Sequence, residues 1–351
     1  MAKKFISFGF FALLVLAFAS CSRLLRPTTS TPKKQRGGSM NEDNTATGNS
    51  TYDTSAFKGK IIKNIAYKKA VNYQGSEQQL ALDIYQPANA AGKKFPVVIL
   101  VHGGSFVGGN KEGLSPICSR LANNGYITVS INYRLGWGFV SKAATTCADT
   151  VKLKKAMYRA VQDTHSAIDY LVAHADEYNI DTNWMFLGGR SAGAITALAA
   201  AYLNEKDVNA FFPDDFVKEL GPLYNNNLKA NYNLKGVISM WGAFLNPELI
   251  TADNALPTIF FQGELDKAVP FRSRTFTPCP SASMVYGTYP LYNRLKALGE
   301  TAIAHVDPQG GHGVFEEDFR DDNILCFLNN VRQGVKKQVY LTGVVNSCDK
   351  Q

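Results

Sequence analysis

No acidic residue occurs in the first forty positions, and this confines the charge imbalance to one end of the chain. Of the formal +8, the residues Lys3, Lys4, Arg23, Arg26, Lys33, Lys34 and Arg36 account for all but +1. The remainder is close to neutral and offers no surface for tracking phosphates, so nucleic-acid binding is not expected. No apolar run reaches the roughly 20 residues that a permanent membrane-spanning helix requires. The six cysteines show no C-x-x-C or other zinc-type spacing, so no metal is expected and structural disulfides are preferred to redox chemistry. Histidine is scarce, at five, which leaves few groups able to serve as a base near neutral pH. No internal repeat is present.

What the leader does contain is a signal. Lys3 and Lys4 precede an apolar or small run of 15 residues, Phe5 to Ala19, and small residues lead to Cys21. This reads as a removable export signal over residues 1–20. Ala17-Phe18-Ala19-Ser20-Cys21 resembles a bacterial lipobox with Phe18 in place of the usual aliphatic residue. That resemblance implies lipidation at Cys21 and a membrane-anchored protein of the cell envelope; ordinary cleavage near Ala19 or Ser20 is the alternative. The Thr/Ser/Pro/Gly-rich stretch over 21–55 reads as a flexible tether. With Cys21 set aside, Cys118, Cys147, Cys279, Cys326 and Cys348 remain, and an odd number leaves at least one unpaired.

Residues 56–345 are long enough for one large core, and 45% of the chain is apolar. Ile61 to Tyr73 and Gln79 to Tyr85 alternate as antiparallel strands around the turn Gln74-Gly75-Ser76. Phe95 to Val101 is a continuous run, rich in β-branched residues, that suits a strand buried on both faces. Similar runs recur at Tyr126 to Tyr133, Trp184 to Gly188, Leu234 to Trp241, Pro257 to Phe261 and Thr301 to Val306. Helical patterns lie between them, notably Met157 to Tyr178. The expected fold class is therefore α/β, with a mostly parallel sheet flanked by helices, which places ligands at the carboxyl ends of the strands. Residues 204–233 interrupt the alternation and read either as a small lid or as a helical crossover.

Gly189-Arg190-Ser191-Ala192-Gly193 fits G-x-S-x-G between a strand and an alanine-rich helix, Ala192 to Tyr202. A serine nucleophile must project from a sharp strand-to-helix turn, and small neighbours permit one. Ser191 needs a base, and the base an orienting acid. His102, His165, His174 and His305 fall in a glycine loop, a helix or a strand, which leaves His312 in Gly310-Gly311-His312-Gly313 after the last apolar strand. Asp266, in Gly263-Glu264-Leu265-Asp266, is the expected acid, with Glu264 as fallback. The oxyanion donors expected are the backbone N–H of Ala192 and those of Gly103 and Gly104 in His102-Gly103-Gly104-Ser105-Phe106. Ser105 leaves open which of the three loop residues donates. Trp241 and Phe106 either pack the core or line a pocket. Glu316, Glu317, Asp318, Asp321 and Asp322 read as a solvated helix start, not a calcium site.

These residues resemble the α/β-hydrolase esterases related to hormone-sensitive lipase, type-B carboxylesterases and bacterial carbohydrate-deacetylating or feruloyl esterases. The likeness runs over Leu80 to Tyr85, His102-Gly103-Gly104, Val129 to Leu135, Gly189 to Gly193, Gly263 to Pro270 and His312, in the order Ser…Asp…His. It implies the α/β-hydrolase fold, hydrolysis of carboxylic esters through an acyl-enzyme, no cofactor, and a small-molecule or carbohydrate ester as substrate. A peptidase of the same fold is a second reading, because the triad also serves amides. A non-catalytic lipoprotein would need a damaged triad, and none is visible.

Overall fold

The opening alternation folds as an antiparallel hairpin, β1 (Lys60–Val71) and β2 (Glu77–Gln86). Its turn is set by Gly75 at φ +83° and by Asn72 Oδ1, which accepts from the amides of Gln74 and Ser76. There follow β3 (Phe95–Val101), α1 (Ser115–Asn123), β4 (Ile127–Ile131), α2 (Cys147–Ala173), β5 (Ile180–Arg190) and α3 (Ala192–Tyr202). Two short helices, α4 (Val208–Phe211) and α5 (Asp215–Leu220), lead to β6 (Leu234–Met240) and β7 (Thr258–Gly263). A small pair, β8 (Ser273–Thr275) and β9 (Met284–Tyr286), precedes α6 (Thr288–Ala297), β10 (Ala302–Asp307), α7 (Glu317–Arg332) and β11 (Gln338–Thr342). The computed structural model describes residues 57–348 except 89, 91, 138–146, 213–214, 225–230 and 276–281. The leader, the tether and Cys21 therefore lie outside the described residues, as do the side chains of Cys147 and Cys279.

The main sheet has nine strands in the order β1-β2-β4-β3-β5-β6-β7-β10-β11. β2 runs antiparallel to both its neighbours, and every pairing from β4 through β11 is parallel. The continuous apolar run of β3 is explained by helices on both faces. Val97, Ile99 and Val101 enter one core with Met157, Ile168 and Leu171 of α2 and Ile195 and Leu198 of α3. Val98 and Leu100 point the other way, into a second core with Ile117 and Leu121 of α1 and Ile324 and Phe327 of α7. Each such side chain contributes about 1.5–3 kcal/mol by leaving water. From β3 the chain crosses through α1 to β4 on one side, then returns through α2 to β5 on the other. The carboxyl ends of β3 and β5 thus flank the point where strand order reverses, where open α/β sheets take their ligands.

Some boundaries differ from those read in the sequence. α2 begins ten residues before Met157 and ends at Ala173, because residues 174–179 form a turn closed by Asn179 at φ +60°. β11 was not expected: its side chains are half-buried or exposed, as suits an edge strand, so it lacks the long apolar run that marks the others. In the described part of 204–233, Phe212 and Phe216 pack edge-on against Tyr158 of α2. Gln162 of α2 donates to the carbonyls of Leu220 and Pro222, both at 2.8 Å. Those residues form a crossover fastened to α2.

Cys326 and Cys348 form a disulfide that ties α7 to the chain after β11, and Cys118 is a free, buried thiol whose pKa burial pushes up to about 12. Among the described residues no cluster of His, Cys, Asp or Glu could hold a metal, and no helix is long and apolar enough to cross a membrane. The acidic group at the start of α7 is only partly solvated. Asp318 and Asp322 are exposed and pair with Arg120 of α1, whereas Asp321 is 1% exposed. Helical spacing turns Asp321 inward while its neighbours face water.

Candidate active site

Ser191 occupies the single residue between β5 and α3, with φ 53° and ψ −119°, a left-handed conformation that a non-glycine residue adopts only under constraint. Two contacts make this turn possible. A Cβ at Gly193 would stand 2.0 Å from the Val101 carbonyl oxygen, and one at Gly189 would stand 2.4 Å from the carbonyl carbon of Gly193. Any side chain at either position would push helix and strand apart. The Ser191 amide donates to the Met240 carbonyl at 2.9 Å, which ties the turn to the end of β6.

The Ser191 hydroxyl lies 2.9 Å from His312 Nε2, and His312 Nδ1 lies 2.8 Å from Asp266 Oδ2. Asp266 is 7% exposed and accepts three further bonds. Its Oδ1 takes the amides of Ala268 and Val269 at 2.8 and 2.9 Å, and its Oδ2 takes Gln262 Nε2 at 2.7 Å. A carboxylate with this many donors is an acceptor, so His312 Nδ1 carries the proton and donates it, and Nε2 is left to accept from Ser191.

The acid and base arrive on loops that are fastened to each other. The amides of Glu264 and Leu265 donate to the carbonyls of Asp307 and Gly310 at 2.9 and 3.0 Å, and a Cβ at Gly263 would stand 2.3 Å from the Gly310 and Gly311 carbonyl oxygens. The absence of a side chain at Gly263 is what lets the two loops touch. Glu264, the alternative acid, points away and accepts from the Tyr340 hydroxyl at 3.3 Å.

The other four histidines do not reach Ser191. His102 stacks on Tyr133 with ring centroids 4.5 Å apart, and its Nδ1 lies 2.7 Å from the Gly103 carbonyl oxygen. His165 lies within α2, and His174, just past its end, stacks on Tyr170. His305 is buried in β10 against Phe261, and burial pushes its pKa down to about 4, so it is neutral at physiological pH.

Beside the serine turn, the loop after β3 has three consecutive residues at positive φ: Gly104 at 108°, Ser105 at 53° and Phe106 at 62°. Three of its carbonyls are engaged in hydrogen bonds. Gly104 O accepts from the amides of Val107 and Gly108, Ser105 O from Trp137 Nε1 at 2.9 Å, and Phe106 O from the Gly136 amide at 2.7 Å. The far end is anchored by Lys111, which is buried. Its ammonium donates to Asp83 at 3.0 Å, and its amide donates to Asn132 Oδ1 at 2.7 Å. Gly103 and Gly104 therefore sit on a stiff loop whose first residue meets the start of α3, where a Cβ at Gly193 would stand 2.6 Å from the His102 carbonyl oxygen, and the end of α3 that begins at Ala192 favours negative charge.

Phe106 is buried edge-on against Tyr133 and packs the core. Trp241 is also buried, but it stands at φ 44° with its ring edge-on to His312, centroids 6.1 Å apart, so it belongs to the surroundings of the base. Sequence reasoning missed Gln262, Lys111 and Asp83 as supporting groups. Asp83, a carboxylate inside the apolar run Leu80 to Tyr85, and Gln262, a polar residue closing the run that ends at Phe261, carry that much of a signal; Lys111, among polar residues and glycines, carries none.

Esterases are found among the known proteins that this chain is similar to. The sequence model of a family described as BD-FAE matches residues 82–245. Esterase LipQ of Mycobacterium tuberculosis is 28% identical over 271 residues, covering 70% of this chain and 56% of the relative. Esterase LipC of the same organism is 28% identical over 155 residues, 43% of this chain and 34% of the relative. An acetyl esterase of Salmonella schwarzengrund is 26% identical over 222 residues, 60% of this chain and 61% of the relative. The chain thus spans from about a third to about three-fifths of the length of these relatives. Among solved structures, Thermogutta terrifontis esterase 2 phosphorylated by paraoxon superimposes with a TM-score of 0.52 at 19% identity, over 79% of this chain and 95% of that one. A truncated carbohydrate esterase from gut microbiota gives 0.51 at 18%, over 81% and 98%. At such identities the likeness is one of fold.

Proposed function

We propose that this chain, which has the α/β-hydrolase fold and is similar to esterases, hydrolyses carboxylic esters through an acyl-enzyme on Ser191. The observation that carries the proposal is the unbroken line from Ser191 Oγ to His312 Nε2 at 2.9 Å and from His312 Nδ1 to Asp266 at 2.8 Å, at a strained strand-to-helix turn.

His312 takes the hydroxyl proton as Ser191 attacks the ester carbonyl carbon, and Asp266 stabilises the imidazolium that forms. The amides of Ala192, Gly103 and Gly104 hold the developing oxyanion, each donor lowering the barrier by about 2.7–4 kcal/mol. His312 returns the proton to the leaving alkoxide and the alcohol departs. Water activated by the same imidazole then attacks the acyl-enzyme and releases the acid and free Ser191. The reaction requires no metal or organic cofactor.

The substrate class proposed is a short-chain or carbohydrate-linked ester. The support is the printed names of the relatives, an acetyl esterase and a carbohydrate esterase among them. The address proposed is the bacterial cell envelope, with a lipid on Cys21 and residues 22–55 as a tether to the catalytic domain. Its support is the leader sequence alone. Release of p-nitrophenol from acetate, butyrate and octanoate esters tests the activity and ranks acyl length. Absence of turnover with every ester, by folded protein, would refute it.

A further inference from the structure

Arg320 is in the first turns of α7, where the helix dipole disfavours a cation, and it is only 6% exposed. Burial, reinforced by the nearby Arg190 guanidinium, pushes its pKa down to about 10. Glu317, 3.8 Å from Nη2, offers a counter-charge, and the other contacts of the guanidinium converge on the base. Arg320 Nη1 donates to the carbonyls of Val314 and Phe315, the second and third residues after His312. The guanidinium carbon lies 5.1 Å from the centre of the Trp241 ring, a cation–π contact, and Trp241 in turn stands edge-on to the His312 ring. Two of the residues it touches are strained: Phe315 has φ +65° and Trp241 φ +44°. Non-glycine residues persist there only when their surroundings over-determine them, and such strain concentrates at functional sites.

We infer that Arg320 is a positioning residue for the His312 base. Its planar fork holds the chain that leaves His312 and its face supports the indole beside the imidazole, so that Nε2 stays in line with the Ser191 hydroxyl. The inference rests on the reading of Ser191 and His312 as nucleophile and base. Lysine could satisfy one carbonyl or sit against the indole, but its point charge cannot do both in a fixed plane. A displacement of the base by about 1 Å can cost on the order of 100-fold in rate.

The test uses the full-length chain with Arg320→Met, Arg320→Lys and Trp241→Phe, and reads two rates: labelling of Ser191 by a fluorophosphonate, and kcat and KM for p-nitrophenyl acetate. In Arg320→Met that retains its thermal unfolding transition, labelling and kcat fall together by about tenfold to 100-fold while KM stays within about twofold. Arg320→Lys recovers part of both rates. Wild-type labelling in folded Arg320→Met, or losses that match only an unfolded fraction, overturns the inference. If Arg320→Met does not fold, the other two variants decide: slowed labelling at unchanged KM supports the inference, and wild-type rates in both overturn it. Failure of the wild-type chain to label would instead refute the hydrolase reading itself.

Discussion

Gln262 Nε2 and His312 Nδ1 converge on the same oxygen of Asp266, Oδ2, at 2.7 and 2.8 Å. Gln262 is fully buried at the end of β7, and the same amide nitrogen also reaches the Val269 carbonyl at 3.2 Å. It therefore fixes one oxygen of the carboxylate while the Ala268 and Val269 amides fix the other.

Replacing Gln262 with Leu, which keeps the shape and removes the donor, leaves Asp266 Oδ2 with the histidine as its remaining charged or polar side-chain partner. The expected outcome is a loss of about tenfold in kcat with little change in KM, since the alteration touches the base and not the ester. Steady-state kinetics on a p-nitrophenyl ester check it. An equal loss in Gln262→Glu, which keeps an acceptor in place of the donor, would agree; unchanged kcat in both would show that the backbone amides suffice.

Gly263→Ala is expected to damage both loops at once. Its Cβ would stand 2.3 Å from the carbonyl oxygens of Gly310 and Gly311, which are backbone atoms with no room to withdraw. Overpacking of this kind costs about 1–3 kcal/mol. Urea denaturation should give a lower midpoint at unchanged slope, with activity reduced beyond the loss of folded protein. Gly311→Ala, where nothing lies within 4 Å of a built Cβ, is the control and should be near neutral for stability.

The triad and the sheet were legible in the sequence because each leaves a local mark. Buried parallel strands are continuous apolar runs, the serine turn needs glycines at fixed offsets, and His312 and Asp266 follow the ends of strands in chain order. The supporting groups leave no such mark. Gln262 meets Asp266, four residues on, only through the course of the loop after β7, and Arg320 meets backbone carbonyls and the distant Trp241, while an arginine among acidic residues at a helix start reads as surface. Asp321 misled for the same reason: its neighbours Asp318 and Asp322 do face solvent, and only the packing of α7 on α1 shows that it does not. β11 is an edge strand whose half-exposed residues never form a run.

Asp321 gives the protein a signed pH dependence. Burial raises its carboxyl to about 7, partly offset by Arg190, Arg320 and Arg120 and reinforced by Glu317. The folded chain then holds a proton that the unfolded chain has lost above about pH 4, so this group's contribution to stability falls as pH rises from about 4 to about 7 and is flat beyond. His305 works in the opposite direction, because its depressed value of about 4 means stability rises with pH until the unfolded imidazole loses its proton near 6.5. Comparing Asp321→Asn with wild type isolates the first effect. The variant should gain stability relative to wild type from pH 5 to about pH 7 and hold that gain to pH 8, measured by thermal unfolding at each pH. A constant difference across that range would show that Asp321 is ionised throughout.

The central claim is that Ser191 is the nucleophile, and paraoxon reads it directly, since an esterase that shares this fold is phosphorylated by it. Intact-mass measurement after exposure of the wild-type chain, Ser191→Ala and His312→Ala should show one diethylphosphoryl group on the wild type, mapped by peptide sequencing to Ser191. Ser191→Ala should show none, and His312→Ala should gain it far more slowly. A wild-type chain that stays unmodified, or a Ser191→Ala chain modified at the wild-type rate, would contradict the account.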